Sequence, residues 1–281
     1  MTENLIAQLL SAQQNGATLL GAVKGSDNLI EVYQHHNRRW IYTGGESIQS
    51  TLDLDTPDYL VQTYQQVMLT SLLCLKEQLS ETTRRILNLG FGGGAFERYF
   101  IDKNVSKSEA NNEHVEVVSV DANAPLVKLA QQYMQIPAKW PVVIDSAEHY
   151  LARGKSIFDM ILCDLFVGQN HAPCLRDADG KGGNDFYRNA AKRLTDSGVM
   201  AINLAPESEA ELMTILHHAR QTFCGAMISG VSGQSNLVLV LSKQPMPDIE
   251  QLMLKTTACQ QQWSLDFASM LSGFKQFPNK I

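Results

Sequence analysis

The spacing of apolar and polar residues changes along this chain, and each change predicts a different kind of element. Residues 1 to 15, MTENLIAQLLSAQQN, read as a short amphipathic helix ending near Gly16. From about 18 to 50 the texture becomes strand-like, with NLIEVYQ and RRWIYTGG separated by turn residues, which predicts a small β region. TPDYLVQTYQQVMLTSLLCLKEQL then restores a helical period. Thr56 stands at the N-cap, Pro57 at the first helical position, and Leu60, Tyr64, Val67, Met68, Leu72 and Leu75 share one stripe. This predicts an amphipathic helix leading into residue 85.

From residue 86 strands and helices alternate. ILNLG is followed by a helix opening near Ala95, VEVVSVD by a helix from Pro125, PVVID by a short helix over 147 to 152, and FDMILCDLF by a helix from about 185, before GVMAINL. The helix from Pro125 carries Leu126, Leu129, Ala130, Tyr133 and Met134 on one face, as a helix covering a sheet should. Apolar strands alternating with helices predict a parallel sheet wound on both faces. After a helix containing Leu212, Ile215, Leu216 and Ala219 come GAMISGV and SNLVLVLSK, joined only by SGQ; so short a link makes an antiparallel hairpin and excludes a crossover. Residues 248 to 274, with Leu252, Leu254, Trp263, Phe267, Met270 and Phe274, predict one or two covering helices. The polar KNVSKSEANNEH at 103 to 114 reads as an exposed loop in the first crossover. Two units follow: 1–85, with the helix, the small β region and a linking helix, and 86–281, the domain of alternating strands and helices with C-terminal helices.

Composition narrows the partners. A chain of 281 residues with 44% hydrophobic residues buries a large core, and a net charge of -6 offers no basic excess to attract nucleic acid or acidic lipid. With no basic leader and no apolar run of about 18 residues, the expectation is a soluble cytoplasmic protein acting on a small molecule. Five scattered cysteines form no C-x-x-C pair, and the histidine doublets His35-His36 and His217-His218 point to different faces. No metal site is expected.

The chemistry gathers at LGFGGGAF. Gly90, Gly92 and Gly94 alternate through a strand-to-helix turn, where backbone can approach a ligand that a Cβ would exclude. Gly90, Gly92 and Ala95 also satisfy G-x-G-x-x-A, so the motif alone fits an NAD-type or an adenosylmethionine-type ligand. The next three strands each end in an aspartate: Asp121, Asp145 and Asp164. In an open parallel sheet these ends line one crevice. Carboxylates complement a sulfonium cation and repel a pyrophosphate. Together with a parallel sheet closed by a hairpin, they favour the sulfonium nucleoside.

From LIEVYQ at 29 to NLVLVLSK at 243 the chain resembles the spermidine synthase-like branch of the adenosylmethionine-dependent transferases. ESIQSTLDLDTPDYLVQTYQQVM is similar to the family's segment before the nucleotide domain, and LGFGGGAF, VVSVDAN, VVIDSAEHYL and FDMILCDLF to its glycine, ribose, adenine and active-site motifs. The resemblance implies a Rossmann-like α/β fold of the seven-stranded methyltransferase type, five parallel strands plus the hairpin. It implies that Gln49, Gly90, Gly92, Gly94, Asp121, Asp145, Ser146 and Ala147 bind adenosylmethionine or its decarboxylated form, and that Asp164 is catalytic. A small acceptor, such as an amine, and a homodimer are further expectations. Two departures bear on the reaction. Val167 stands where the family's aminopropyltransferases carry a second aspartate, and Tyr64-Gln65-Gln66 stands where they carry polyamine-binding acids. These departures count against true spermidine synthesis, and the transferred group is methyl or aminopropyl. In the family the segment after Asp164 is a gate, in which Asp177, Asp179 or Asp185 would return a carboxylate and His171 a base. Arg98 is expected on the surface of the helix after the glycines. A catalytically silent nucleotide-binding protein and an NAD-dependent dehydrogenase are the alternatives.

Overall fold

The computed structural model describes residues 2–25, 28–45, 48–75, 83–106, 114–137, 140–165 and 184–280. The chain opens with helix α1 (Thr2–Gln14) and an antiparallel meander of β1 (Thr18–Lys24), β2 (Leu29–His35), β3 (Arg38–Tyr42) and β4 (Ile48–Asp53). The predicted small β region is thus a four-stranded sheet.

The helix expected from Pro57 is shorter. Residues 56 to 61 form a turn, α2 spans Thr63–Met68, and a 3-10 turn continues over Leu69–Cys74. The carbonyls of Pro57 and Leu60 bond to side chains, Arg98 Nε at 2.8 Å and Gln66 Nε2 at 2.7 Å, instead of to helical N–H groups. The apolar stripe is nevertheless right: Leu60, Tyr64, Val67, Met68, Leu72 and Leu75 are all buried.

The large sheet begins at β5 (Thr83–Leu89). It continues through α3 (Ala95–Ser106), β6 (His114–Asp121), α4 (Ala124–Tyr133), β7 (Val142–Ile144), α5 (Ala147–Arg153), β8 (Phe158–Cys163), α6 (Asn184–Lys192) and β9 (Leu194–Leu204). After α7 (Glu209–Thr222) come β10 (Gly225–Gly230) and β11 (Leu237–Ser242), then α8 (Ile249–Met253), α9 (Thr256–Trp263), α10 (Phe267–Ser272) and β12 (Phe274–Phe277). The strand order is β12-β10-β11-β9-β8-β5-β6-β7. Strands β7, β6, β5, β8 and β9 are parallel, as the alternation predicts. The hairpin forms too, but β11 inserts between β9 and β10, antiparallel to both, so β10 runs with the parallel set. The C-terminal segment is helical as expected, in three short helices where one or two are predicted; beyond them Phe274–Phe277 pairs with β10 as an eighth strand and covers its edge, while Leu254 is exposed. Among the described residues, no helix is long and apolar enough to cross a membrane.

Alternation along the strands divides the core. Met160, Leu162, Val199, Ala201, Val238 and Val240 face α2, α3 and the C-terminal helices; Ile161, Cys163, Met200, Ile202, Leu239 and Leu241 face α6 and α7. Burying both faces explains the unbroken apolar runs. The same parity puts Asn88, Ser119, Asp164, Asn203 and Asn236 on the α2 and α3 side.

One buried polar cluster on that side holds α3 to the sheet. Glu97 Oε1 accepts from Asn88 Nδ2 at 2.8 Å and Ser119 Oγ at 2.6 Å, and Ser119 Oγ accepts from Trp140 Nε1 at 3.1 Å. Among the described residues, Glu97 Oε2 and Asn88 Oδ1 are buried with no hydrogen-bond partner. Burial pushes the Glu97 carboxyl up, against the hydrogen bonds from Ser119 and Asn88. A carboxyl raised in the folded state gives stability that is present below its unfolded pKa of about 4.3 and is lost as pH rises through the folded value. Glu97→Gln keeps the acceptor and supplies N–H donors at all pH values. Urea unfolding from pH 4 to 8 should therefore show a flatter stability profile for the variant, with equal or greater stability at neutral pH.

Candidate active site

The glycine turn between β5 and α3 is shaped by four different contacts. Gly90 has φ +94°, and a Cβ there would lie 2.1 Å from the carbonyl oxygen of Asp164 on the neighbouring strand. Gly93 packs on Ser50 of β4, with a Cβ position 2.1 Å from Ser50 Oγ, which seats the small sheet over the turn. Gly94, at φ +69°, packs on Ile136 and is not in the wall of the cavity described below. Gly92, at φ +54°, is the open one: the nearest atom to its Cβ position is Gln49 Nε2 at 3.9 Å. Arg98 braces the turn from beneath. It is buried, not on the surface as expected, and donates to the carbonyls of Pro57 at 2.8 Å, Gly93 at 2.6 Å and Met134 at 2.9 Å. Burial lowers its pKa to about 10, so the guanidinium is still charged at neutral pH.

Above the turn lies a cavity of about 1240 Å³, larger than the roughly 300–1,000 Å³ of a usual small-molecule site. Its wall contains Gln49, Gly90, Gly92, Asp121, Asp145, Ser146, Ala147 and Asp164, so every predicted site residue but Gly94 meets there. The parallel ends of β5, β6, β7 and β8 bring all but Gln49 together, and Gln49 comes from β4 of the small sheet.

The three aspartates are held differently. Asp121 Oδ2 accepts from Gly92 N–H at 3.0 Å and Oδ1 from Asn123 N–H at 2.8 Å; burial raises its pKa while these backbone donors oppose the rise. Asp145 is more exposed and is engaged by Ser146 N–H and His149 Nδ1. Asp164 Oδ2 accepts from the Tyr64 hydroxyl at 2.8 Å and Oδ1 from Asn203 Nδ2 at 2.9 Å, while Asn203 Oδ1 accepts from Asn236 Nδ2 at 2.9 Å. Burial raises the Asp164 carboxyl, the Asn203 and Tyr64 donors oppose this, and the Asp121 charge adds to it. Tyr64 is raised by burial and by the Asp164 charge, so its phenol keeps its proton and donates.

Asn203 and Asn236 also line the cavity and were missed in the sequence. Their signal was available: each is a polar residue at the end of an apolar strand run, on the alternation that Asp164 shares. Val167, His171, Asp177 and Asp179 lie outside the described residues. Asp185 lies in the first turn of α6, pairs with Arg188 and does not line the cavity.

No protein-family model matches the chain. A polyamine aminopropyltransferase of Chromobacterium violaceum is 25% identical over 253 residues, covering 88% of this chain and 89% of that protein. A protein of the same name from Neisseria meningitidis serogroup A is 23% identical over 252 residues, with 88% and 89% covered. Among solved structures, a probable spermidine synthase from Corynebacterium glutamicum superposes with a TM-score of 0.63 at 18% identity, over 84% of this chain and 86% of that one. Human methyltransferase-like protein 13, solved with SAH, gives a TM-score of 0.61 at 18% identity, over 72% and 93%. The fold is that of the Rossmann-like adenosylmethionine-dependent methyltransferases. Within that fold the chain is similar in sequence to polyamine aminopropyltransferases and in structure to a probable spermidine synthase.

Proposed function

We propose that the chain transfers a methyl or aminopropyl group from adenosylmethionine or its decarboxylated form to a small acceptor, and that the acceptor is an amine other than the diamine of spermidine synthesis. The observation that carries this reading is Asp164: a carboxylate held by Tyr64 and Asn203 in the same cavity as the open Gly92 turn and Asp121. The donor set fits a sulfonium nucleoside. Four carboxylates, those of Asp121, Asp145, Glu148 and Asp164, line the cavity, where they complement a cation, and the Gly92 position has room for a ligand.

In this reading Asp121 accepts the ribose hydroxyls, Asp145 the adenine amino group, and the Ser146 and Ala147 backbone meets the ring edge. Gln49 closes the pocket over Gly92. When bound, the sulfonium supplies an electrophilic carbon: the acceptor's lone pair forms the new bond as the carbon–sulfur pair returns to sulfur, leaving a neutral thioether. Asp164 accepts a hydrogen bond from the acceptor nitrogen, aligns it, and takes the proton that an acceptor ammonium must lose before its lone pair can attack. Most of the rate comes from this alignment and from excluding water, because the leaving group is already good. Gln62, Gln65, Asn203 and Asn236 line the same cavity and offer neutral hydrogen bonds, which suits an acceptor with one ammonium and a polar body better than a polycation.

The test is turnover with each sulfonium donor against monoamines, amino alcohols and diamines, following release of S-adenosylhomocysteine or methylthioadenosine. Acceptor-dependent release with one donor is expected. Efficient use of putrescine would overturn the acceptor reading, and no release from either donor with any acceptor would overturn the transfer.

A further inference from the structure

We propose that His149 is a positioning residue that sets the cavity's preference for adenine by fixing the Asp145 carboxylate; this rests on the nucleoside reading above. Strand β7 ends at Ile144, and Asp145 N–H is tied to the Asp121 carbonyl at 3.2 Å. Ser146 caps α5 by accepting from His149 N–H at 3.2 Å, which puts the imidazole one helical turn beyond Asp145. His149 Nδ1 stands 2.8 Å from Asp145 Oδ1 and 2.9 Å from Oδ2. An ionised carboxylate only accepts, so Nδ1 carries the hydrogen and shares it between the two oxygens. Ser146 N–H donates to Oδ1 at 2.9 Å.

Oδ1 thus takes two donors, and the acceptor capacity left over belongs mainly to Oδ2. Asp145 lines the cavity and the imidazole does not, so His149 holds the carboxylate from outside. A carboxylate fixed in this way accepts from a 6-amino group and repels a 6-oxo group. The side chain of Asp145 is 31% exposed. Without the imidazole it is free to rotate toward water, and the discrimination falls.

Equilibrium titration of 5′-methylthioadenosine and its 6-oxo counterpart, 5′-methylthioinosine, tests this in the wild type, His149→Phe, His149→Gln and Asp145→Asn. The wild type is expected to favour the 6-amino nucleoside by about 10- to 100-fold, the range for a hydrogen bond to a charged acceptor. His149→Phe should reduce the ratio to less than about threefold, and His149→Gln, which retains an N–H donor, should recover most of it. Asp145→Asn should abolish the preference. Should the phenylalanine lower the melting temperature, His149→Ala carries the same expectation. A ratio unchanged in these His149 variants, or equal wild-type binding of the two nucleosides, would overturn the role of His149. Wild type that binds neither nucleoside would overturn the nucleoside reading itself, and this inference with it.

Discussion

Asp164→Asn lowers turnover by about 100- to 10,000-fold, the range for loss of a positioned proton acceptor, while nucleoside affinity stays within a few-fold. The substitution keeps the shape of the side chain and the neighbouring Tyr64 and Asn203, so it removes charge and basicity without opening a hole. Steady-state rates with a saturating donor check the first part and calorimetry the second. The pH profile separates Asp164 from a bystander. Burial raises its carboxyl above the usual range near 3.9, and activity requires the ionised form, so the rate climbs with pH through that raised value. Asn203→Leu removes a donor at 2.9 Å that favours the ionised form. The acid limb should then move to higher pH. A limb that stays in place in Asn203→Leu would detach it from Asp164.

Gly90→Ala is the largest expected loss of stability. At φ +94° an L-residue is strained by about 1–3 kcal/mol, and the new Cβ meets the Asp164 carbonyl oxygen at 2.1 Å, a backbone atom that cannot swing aside. Pushing β8 away adds about 1–3 kcal/mol of overpacking, so a total of roughly 2–6 kcal/mol is expected in urea unfolding. Gly92→Ala is the contrast. Its Cβ has space, so the loss should be confined to the backbone conformation, and ligand affinity should fall more than stability.

The contrast between these glycines bears on how much of the molecule could be read from the chain. The apolar runs of β5, β8 and β9 and the aspartates at the ends of β6, β7 and β8 are local signals, and the parallel sheet turns them into one cavity. Asn203 obeys the same rule, a polar residue at the end of an apolar strand, but a single asparagine is a weaker signal than a carboxylate. Arg98 was misplaced for a different reason. Its partners Pro57, Gly93 and Met134 come from three segments, and no local pattern announces that their carbonyls need a donor. The helix from Pro57 failed likewise, because Arg98 and Gln66 take carbonyls that the helical period alone assigns to the backbone. The insertion of β11 between β9 and β10 is a choice of sheet neighbours, which hairpin length does not encode.

The central claim is that the cavity over Gly92, walled by Asp121, Asp145 and Asp164, holds a sulfonium nucleoside. Calorimetric titration with adenosylmethionine, decarboxylated adenosylmethionine, methylthioadenosine and NAD tests it most directly. Saturable one-to-one binding of at least one sulfonium ligand, weakened at least about tenfold by Asp121→Ala, is the predicted result. Tight binding of NAD with no response to the sulfonium ligands would contradict it.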